Sequence, residues 1–412
     1  MKSNKKRTAT LAAAIGVAAV GAVAVAGVPA LADPVSNGYS IVGSDTLQEA
    51  VGAIANGTDV TGANVRIALN GTTLASYDAF PSAASLSLAR GIPGALIQTK
   101  EYGPAFVRPQ GSGNGVQALS ASYNVDSDSL WLTTDITGQV QASRSSSGRT
   151  ANGSGPLHRF PFGHDAIAYA IIPGSSVNPS AIAAVSSLSK AQLTALYTTA
   201  PDSGDSEFGV DASFAYGDND VVTVVNPVVP RLPQAGSGTR SDFQSFIAAG
   251  TPSGVTNAAT TVIQENNGLD AEITAYLAAN TTAIVIVPFS ASSYIAQENS
   301  VAKLQTTAGI TLGSPDGRPA FTDVSGTLVP DATTTGLYNT ASDFDRDTFI
   351  VVAESALATD PGVASMVDAT YIKSLTYWGA STANNTSKAV KLLFGFSAPL
   401  EASTGTRINA EG

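Results

Sequence analysis

The sequence predicts an α/β protein of two lobes, with its ligand site at turns that lead from strand to helix. Three observations carry this. Short apolar runs alternate with helical patterns along the whole chain, which is the rhythm of α/β architecture. At three places the turn after an apolar run is built from glycines and small hydroxyl residues: Gly43-Ser-Asp-Thr46, Gln110-Gly-Ser-Gly-Asn-Gly115 and Gln234-Ala-Gly-Ser-Gly-Thr-Arg240. Of 412 residues, 380 remain once the first 32 are set aside as a leader, too many for one typical core and suited to two.

The leader opens with Lys2, Lys5, Lys6 and Arg7, continues with an Ala/Val/Gly run from Leu11 to Val28, and reaches Ala30-Leu31-Ala32. This is the pattern of a secretory signal peptide cleaved after Ala32, and the run is short and weakly apolar for a membrane anchor. The chain has no cysteine, which excludes a disulfide framework, a thiol nucleophile and a lipid-accepting Cys. A secreted protein without a lipid anchor is the expectation. Without the leader, 17 basic residues face 32 acidic ones, a net charge of −15 that argues against nucleic acid and anionic membrane as partners. With 43% apolar and 13% charged residues the chain can bury a core.

In chain order, Tyr39–Val42 reads as a strand and Leu47, Val51 and Ile54 as one helical face, with Thr46 and Glu49 spaced as a capping box. Ala105–Pro109 leads into the second turn, where Ser112 offers a hydroxyl and the glycines let backbone approach a ligand. That turn lacks both the dinucleotide fingerprint and the phosphate-loop lysine. Gln139–Gly148 alternates and then breaks into a polar loop, in which Arg144 and Ser145 either face the site or belong to a solvated turn. Phe162–Ile172 is a buried strand closed by Pro173 and Gly174, a crossover into the second lobe. Leu188–Tyr197 is a helix with Ser189 and Gln192 as its capping box.

Val221–Val229 reads as a strand feeding the third turn, and Phe243, Phe246 and Ile247 form the face of the helix that follows, with Gly250 ending it. At such a turn the first helical N–H groups lack intrahelical partners, so hydroxyls and a guanidinium beside them make an oxyanion site. Ser237 or Thr239 could equally cap the helix with nothing bound. Thr282–Pro288 is read as the strand that returns the chain to the first lobe, followed by strands at Asp347–Val352 and Val390–Phe394. Asp343, Asp345 and Asp347 alternate as in a calcium loop but lack its Gly and downstream Glu, so a solvated acidic turn is expected and no metal site.

Together with the Leu188–Tyr197 helix, the three turns resemble the phosphate-binding-protein family, the extracytoplasmic receptors of phosphate ABC transporters. The likeness runs in order over residues 38–300. It implies a type II periplasmic-binding-protein-like fold, two α/β lobes joined by two crossing segments with the ligand cleft between them: lobe 1 from 33–165 and 282–412, lobe 2 from 166–281. It implies reversible binding of an inorganic oxyanion, most simply phosphate, by a monomer that takes no cofactor and can serve a transporter permease. Carried over by position, Thr46 and Leu47 answer to the family's first turn, Ser112 to the second, and Ser237, Gly238 and Thr239 to the third. Ser44, Asp45, Gly113, Arg144, Ser145 and Arg240 complete the expected ligand set.

Two family positions depart. Where the family has an Arg four residues before the third-turn serine this chain has Pro233, leaving Arg231 or Arg240 as substitutes. Where it has an Asp, near 142–147, this chain has Arg144 and serines, so Asp45 is the remaining candidate to accept the proton of hydrogen phosphate and repel sulfate. Three other readings compete: a sulfate-type binder, a surface protein that keeps the fold without the ligand, and a phosphatase or serine hydrolase using Ser237. The last lacks the glycines of a nucleophile elbow at 235 and 239 and has only His158 and His164 as bases, so no catalytic residue is expected.

Overall fold

The computed structural model describes residues 38–80, 96–125, 134–198, 208–210, 214–215, 226–247, 263–302, 306 and 309–410. The expected signal peptide, the first half of the Val221–Val229 run and Gly250 lie outside them. Among the described residues no helix is long and apolar enough to cross a membrane.

One mixed sheet of eleven strands organises the rest: β1 (Tyr39–Gly43), β2 (Leu74–Ser76), β3 (Ala142–Ser145), β4 (Leu157–Pro173), β5 (Phe208–Val210), β6 (Phe214–Ala215), β7 (Asn226–Pro230), β8 (Ile284–Ser290), β9 (Thr311–Leu312), β10 (Asp345–Ala353) and β11 (Thr406–Ile408). Their spatial order is β6-β5-β7-β8-β4-β10-β3-β1-β2, with β9 and β11 also paired to β4. β1 is parallel to β2 and β3, and β7 to β8, while the central β4 and β10 run antiparallel to their neighbours. Parallel neighbours require crossovers, which the helices α1 (Gln48–Asn56), α2 (Gly111–Ser122) and α4 (Gly238–Phe246) supply, with α3 (Lys190–Thr198) lying between β4 and β5 in the chain.

The long strand β4 belongs to both halves of the molecule. From Leu157 to Ala166 it pairs with β10, and from Ile167 to Pro173 with β8. Ile41, Val51, Val116, Leu119, Phe162 and Ile350 build the core of the first half; Ile167, Tyr169, Leu193, Phe243, Ile286 and Phe344 build one core of the second. On the second half's other face Val229, Ile263, Val285, Val287 and Phe289 form a separate cluster. Ile284 and Ile286 face one cluster, Val285 and Val287 the other, so β8 is apolar on both sides because both are covered.

This placement corrects the expected role of Thr282–Pro288. β8 stays in the second half, between β7 and the far end of β4, and the chain re-enters the first half through β10, after Ile167 N donates to Phe344 O at 2.8 Å. Val390–Phe394 also differs: it lies in and at the end of the helix α5 (Ser387–Leu393). A short apolar run does not distinguish strand from helix by periodicity. Here the cap decides, since Thr386 Oγ1 accepts from Ala389 N at 3.2 Å. The Ser189/Gln192 capping box forms in both directions, at 2.8 and 3.2 Å.

Candidate functional site

The three turns converge where the two halves meet. Turn 1 leaves β1 at Gly43, whose φ of +109° favours glycine and whose missing Cβ makes room for the Arg144 carbonyl. Turn 2 opens α2, and its Gly113 N donates to Gly236 O of turn 3 at 3.3 Å. At Gly238 a Cβ would collide with the hydroxyls of Ser112 and Ser146, so only glycine lets turn 3 close onto the first half.

The capping expectations divide. Ser237 is a true N-cap, its Oγ accepting from Arg240 N at 3.0 Å. Thr46 is not: the N-cap of α1 is Leu47, with no side-chain cap bond, and the Leu47 side chain is buried in the first core. The hydroxyl of Thr46 is thereby left for something else. It donates to Glu265 Oε1 at 2.7 Å, and Thr239 Oγ1, from turn 3, donates to the same oxygen at 2.5 Å. The two hydroxyl oxygens lie 3.5 Å apart.

Around this carboxylate the charges are dense and almost dry. Glu265 is 1% exposed and Thr239 fully buried. Arg346 Nη2 donates to Thr239 Oγ1 at 2.8 Å and to Asp165 Oδ2 at 2.9 Å, while Nη1 reaches Asp242 Oδ2 at 3.2 Å. Burial would lower the Arg346 pKa, but Asp165, Asp242 and Glu265 together hold it above its ordinary value. Burial pushes Asp242 up to about 6 against the pull of Arg346. Asp45 is pushed well above the carboxylate range, first by burial and then by the charge of Glu265. Neither Asp45 oxygen meets a donor, nor does Glu265 Oε2 or Ser44 Oγ. Asp45 therefore favours its protonated form over standing as a second buried anion beside Glu265.

Arg144, expected beside the ligand, is fully buried behind turn 1 and spends its donors on the protein: Nε on Ser44 O at 2.9 Å, Nη1 on Ser76 Oγ at 2.7 Å, Nη2 on Tyr77 O at 2.6 Å. Ser145 Oγ donates to Ser147 O at 3.0 Å. Ser112 Oγ sits 3.0 Å from Ser146 Oγ and accepts from Ser146 N at 2.9 Å. Neither substitute for the family Arg reaches the hub: Arg231 lies 3.4 Å from Glu272 and over the Tyr276 ring, and Arg240 donates to Pro233 O and Gln244 Oε1.

Outside the hub, Asn114, Gln117, Arg149, Ser237, Arg240 and Gln244 help line an open cleft of 1140 Å³. On the far side of the hub from Thr239, between Asp45, Glu265, Gln297 and Phe394, lies a second space of 40 Å³. Both histidines take partners elsewhere: His158 pairs with Glu354 at 2.7 Å, and His164 Nδ1 with Asp347 at 2.8 Å. Of the alternating aspartates Asp343 is exposed and pairs with Lys190 at 2.7 Å, whereas Asp347 is drawn in and also accepts from Leu400 N and Glu401 N. Among the described residues no group of acidic and histidine side chains is arranged to hold a metal ion.

Glu265, Arg346, Asp165, Asp242 and Ser146 are the residues that sequence reasoning missed. Signals for two existed: Gln264-Glu-Asn-Asn267 is a polar run directly after the apolar Ile263, and Arg346 is the one base within Asp343-Phe-Asp-Arg-Asp347.

No family model and no curated protein matches the chain. Solved structures do. An ABC-type phosphate transport receptor from Vibrio cholerae is 14% identical, covering 88% of this chain and 100% of its own, with a TM-score of 0.43. A putative phosphate ABC transporter substrate-binding protein with bound phosphate from Clostridium perfringens is 16% identical over 82% of this chain and 95% of its own, TM-score 0.39. A phosphate-binding protein from Stenotrophomonas maltophilia is 9% identical over 91% of each chain, TM-score 0.38. These likenesses are loose, and what the cleft of this chain binds has to be read from its own side chains.

Proposed function

We propose that the protein reversibly binds a small inorganic oxyanion, phosphate, at the hub between its two halves. One observation carries the reading: hydroxyls from opposite halves, Thr46 and Thr239, converge on a single anionic oxygen with Arg346 alongside. Fixed hydroxyls and a guanidinium in a nearly dry cleft stabilise negative charge without reorganising. Binding of this kind favours the closed arrangement, because the two hydroxyl donors come from different halves. As a receptor, the loaded closed form would be what a transporter permease recognises.

Phosphate is preferred to sulfate in this reading because the hub holds acceptor oxygens without donors, Ser44 Oγ and the carbonyl oxygen of the protonated Asp45. Hydrogen phosphate brings a proton for such an acceptor, and sulfate brings only lone pairs. Calorimetric titration of ligand-stripped protein with phosphate, and separately with sulfate, tests this. Heat from phosphate alone is expected; equal or sulfate-favoured binding changes the ligand, and no heat from either, in the protein or in Glu265→Gln, removes the function.

A further inference from the structure

The anion seen in the hub belongs to the chain itself. We propose that Glu265 is a built-in competitor for the oxyanion: its carboxylate stands where a ligand oxygen would stand, latches the two halves together without ligand, and must swing out before phosphate enters. This rests on the reading of the hub as an oxyanion site.

Four features of the hub lead here. Glu265 Oε1 consumes both hydroxyl donors, one from each half, so no ligand can use Thr46 and Thr239 while it is in place. The space beside it, 40 Å³ between Asp45, Gln297 and Phe394, is lined by neither Thr239 nor Arg346, so it offers a ligand no access to the donors that Glu265 holds. A phosphate added next to Glu265 would set two anions in contact inside a buried site that also contains Asp165 and Asp242, and at such range in low dielectric the repulsion is severe. Finally, Glu265 Oε2 has no donor, so the carboxylate is only half satisfied and is displaced more easily than one whose oxygens are both bonded.

The movement required is that of a side chain. The backbone around Glu265 is pinned: Glu265 N donates to Gln234 Oε1 at 2.9 Å, Gln297 Nε2 to Asn266 O at 3.0 Å, and Ser290 N to Asn266 Oδ1 at 2.8 Å. Asn266 Nδ2 also donates to Thr46 Oγ1 at 3.3 Å, a bond that survives when the carboxylate leaves. A competitor held inside the protein lowers apparent affinity by the fraction of molecules in which the site is free.

The test compares the protein with Glu265→Ala and Glu265→Gln, using phosphate calorimetry and small-angle scattering with and without phosphate. Glu265→Gln keeps the shape and an acceptor for the threonines while removing the charge, so it guards against a failure of Glu265→Ala to fold. The expected result is about tenfold tighter phosphate binding in Glu265→Ala and a smaller gain in Glu265→Gln. The radius of gyration of ligand-free Glu265→Ala should exceed that of the ligand-free protein and shrink when phosphate is added. If the protein binds phosphate and both variants bind it no better, the competitor is overturned while the oxyanion reading stands. If nothing binds phosphate or sulfate but Glu265→Ala still opens, the latch stands and the oxyanion reading falls. An unchanged radius in both variants overturns the latch.

Discussion

Arg144 and Arg346 are both buried guanidiniums close to turn 1, and they are employed in opposite ways. Arg144 bonds only to neutral acceptors of its own half, three main-chain carbonyls and a serine hydroxyl at 2.6 to 3.3 Å, and burial lowers its pKa to about 10. Arg346 faces two carboxylates and a threonine hydroxyl, bridging β4, α4 and turn 3. The first fixes the backbone of turn 1; the second neutralises part of an acidic hub and lends a donor to the position where an anion sits. A buried arginine beside serines is thus no guide to ligand binding until its five donors have been accounted for.

The largest effect that would sharpen this contrast is Arg346→Ala. It strands Asp165, which is fully buried, and raises Asp242 further, so a loss of about 3–5 kcal/mol in urea unfolding is expected, as for any buried pair deprived of one member. A loss below that of Arg144→Ala would break the comparison. Arg144→Ala leaves buried carbonyls unpaired and should cost about 3 kcal/mol, while phosphate affinity of the folded protein stays within about threefold. An affinity loss of about a hundredfold without a stability loss would return Arg144 to the ligand set.

The hub should also announce itself in the pH dependence of stability. Asp45 and Asp242 both have folded pKa values above the ordinary aspartate range, Asp242 reaching about 6. For a raised acid the contribution is fully present below the unfolded value and declines as pH rises towards the folded one, because the folded state then binds more protons than the unfolded. The protein should therefore lose stability relative to Asp45→Asn as the pH rises through and above the ordinary aspartate range in urea titrations. A constant difference between the two across that range would mean that Asp45 is an ordinary carboxylate. The smallest effect concerns Ser237, whose role is local. Ser237→Ala removes the cap of α4 and should cost about 1 kcal/mol of stability.

Much of the fold was legible because its signals are local. β1, β4 and β10, the Ser189/Gln192 cap and the Ser237 cap follow from apolar runs and capping residues a few positions apart. The strand read as a return, β8, was legible as a strand but not in its pairing, because which half covers a two-faced apolar run depends on distant residues. In the hub, the turns that carry Thr46 and Thr239 were legible. Their common partner was not, since Glu265 lies 219 positions from one and 26 from the other, and nothing in local spacing couples them. Arg144 was misread for the same reason: its acceptors are carbonyls of Ser44 and Tyr77, which carry no side-chain signature.

The central claim is that Thr46 and Thr239 hold one anionic oxygen between the halves. Calorimetric phosphate titration of the protein against Thr46→Val and Thr239→Val tests it most directly. Each variant keeps the volume of the side chain and removes the hydroxyl, so each should bind phosphate at least about tenfold more weakly. Unaltered phosphate affinity in both variants would contradict the account, and would move the ligand out of the hub into the open cleft beside Arg149 and Arg240.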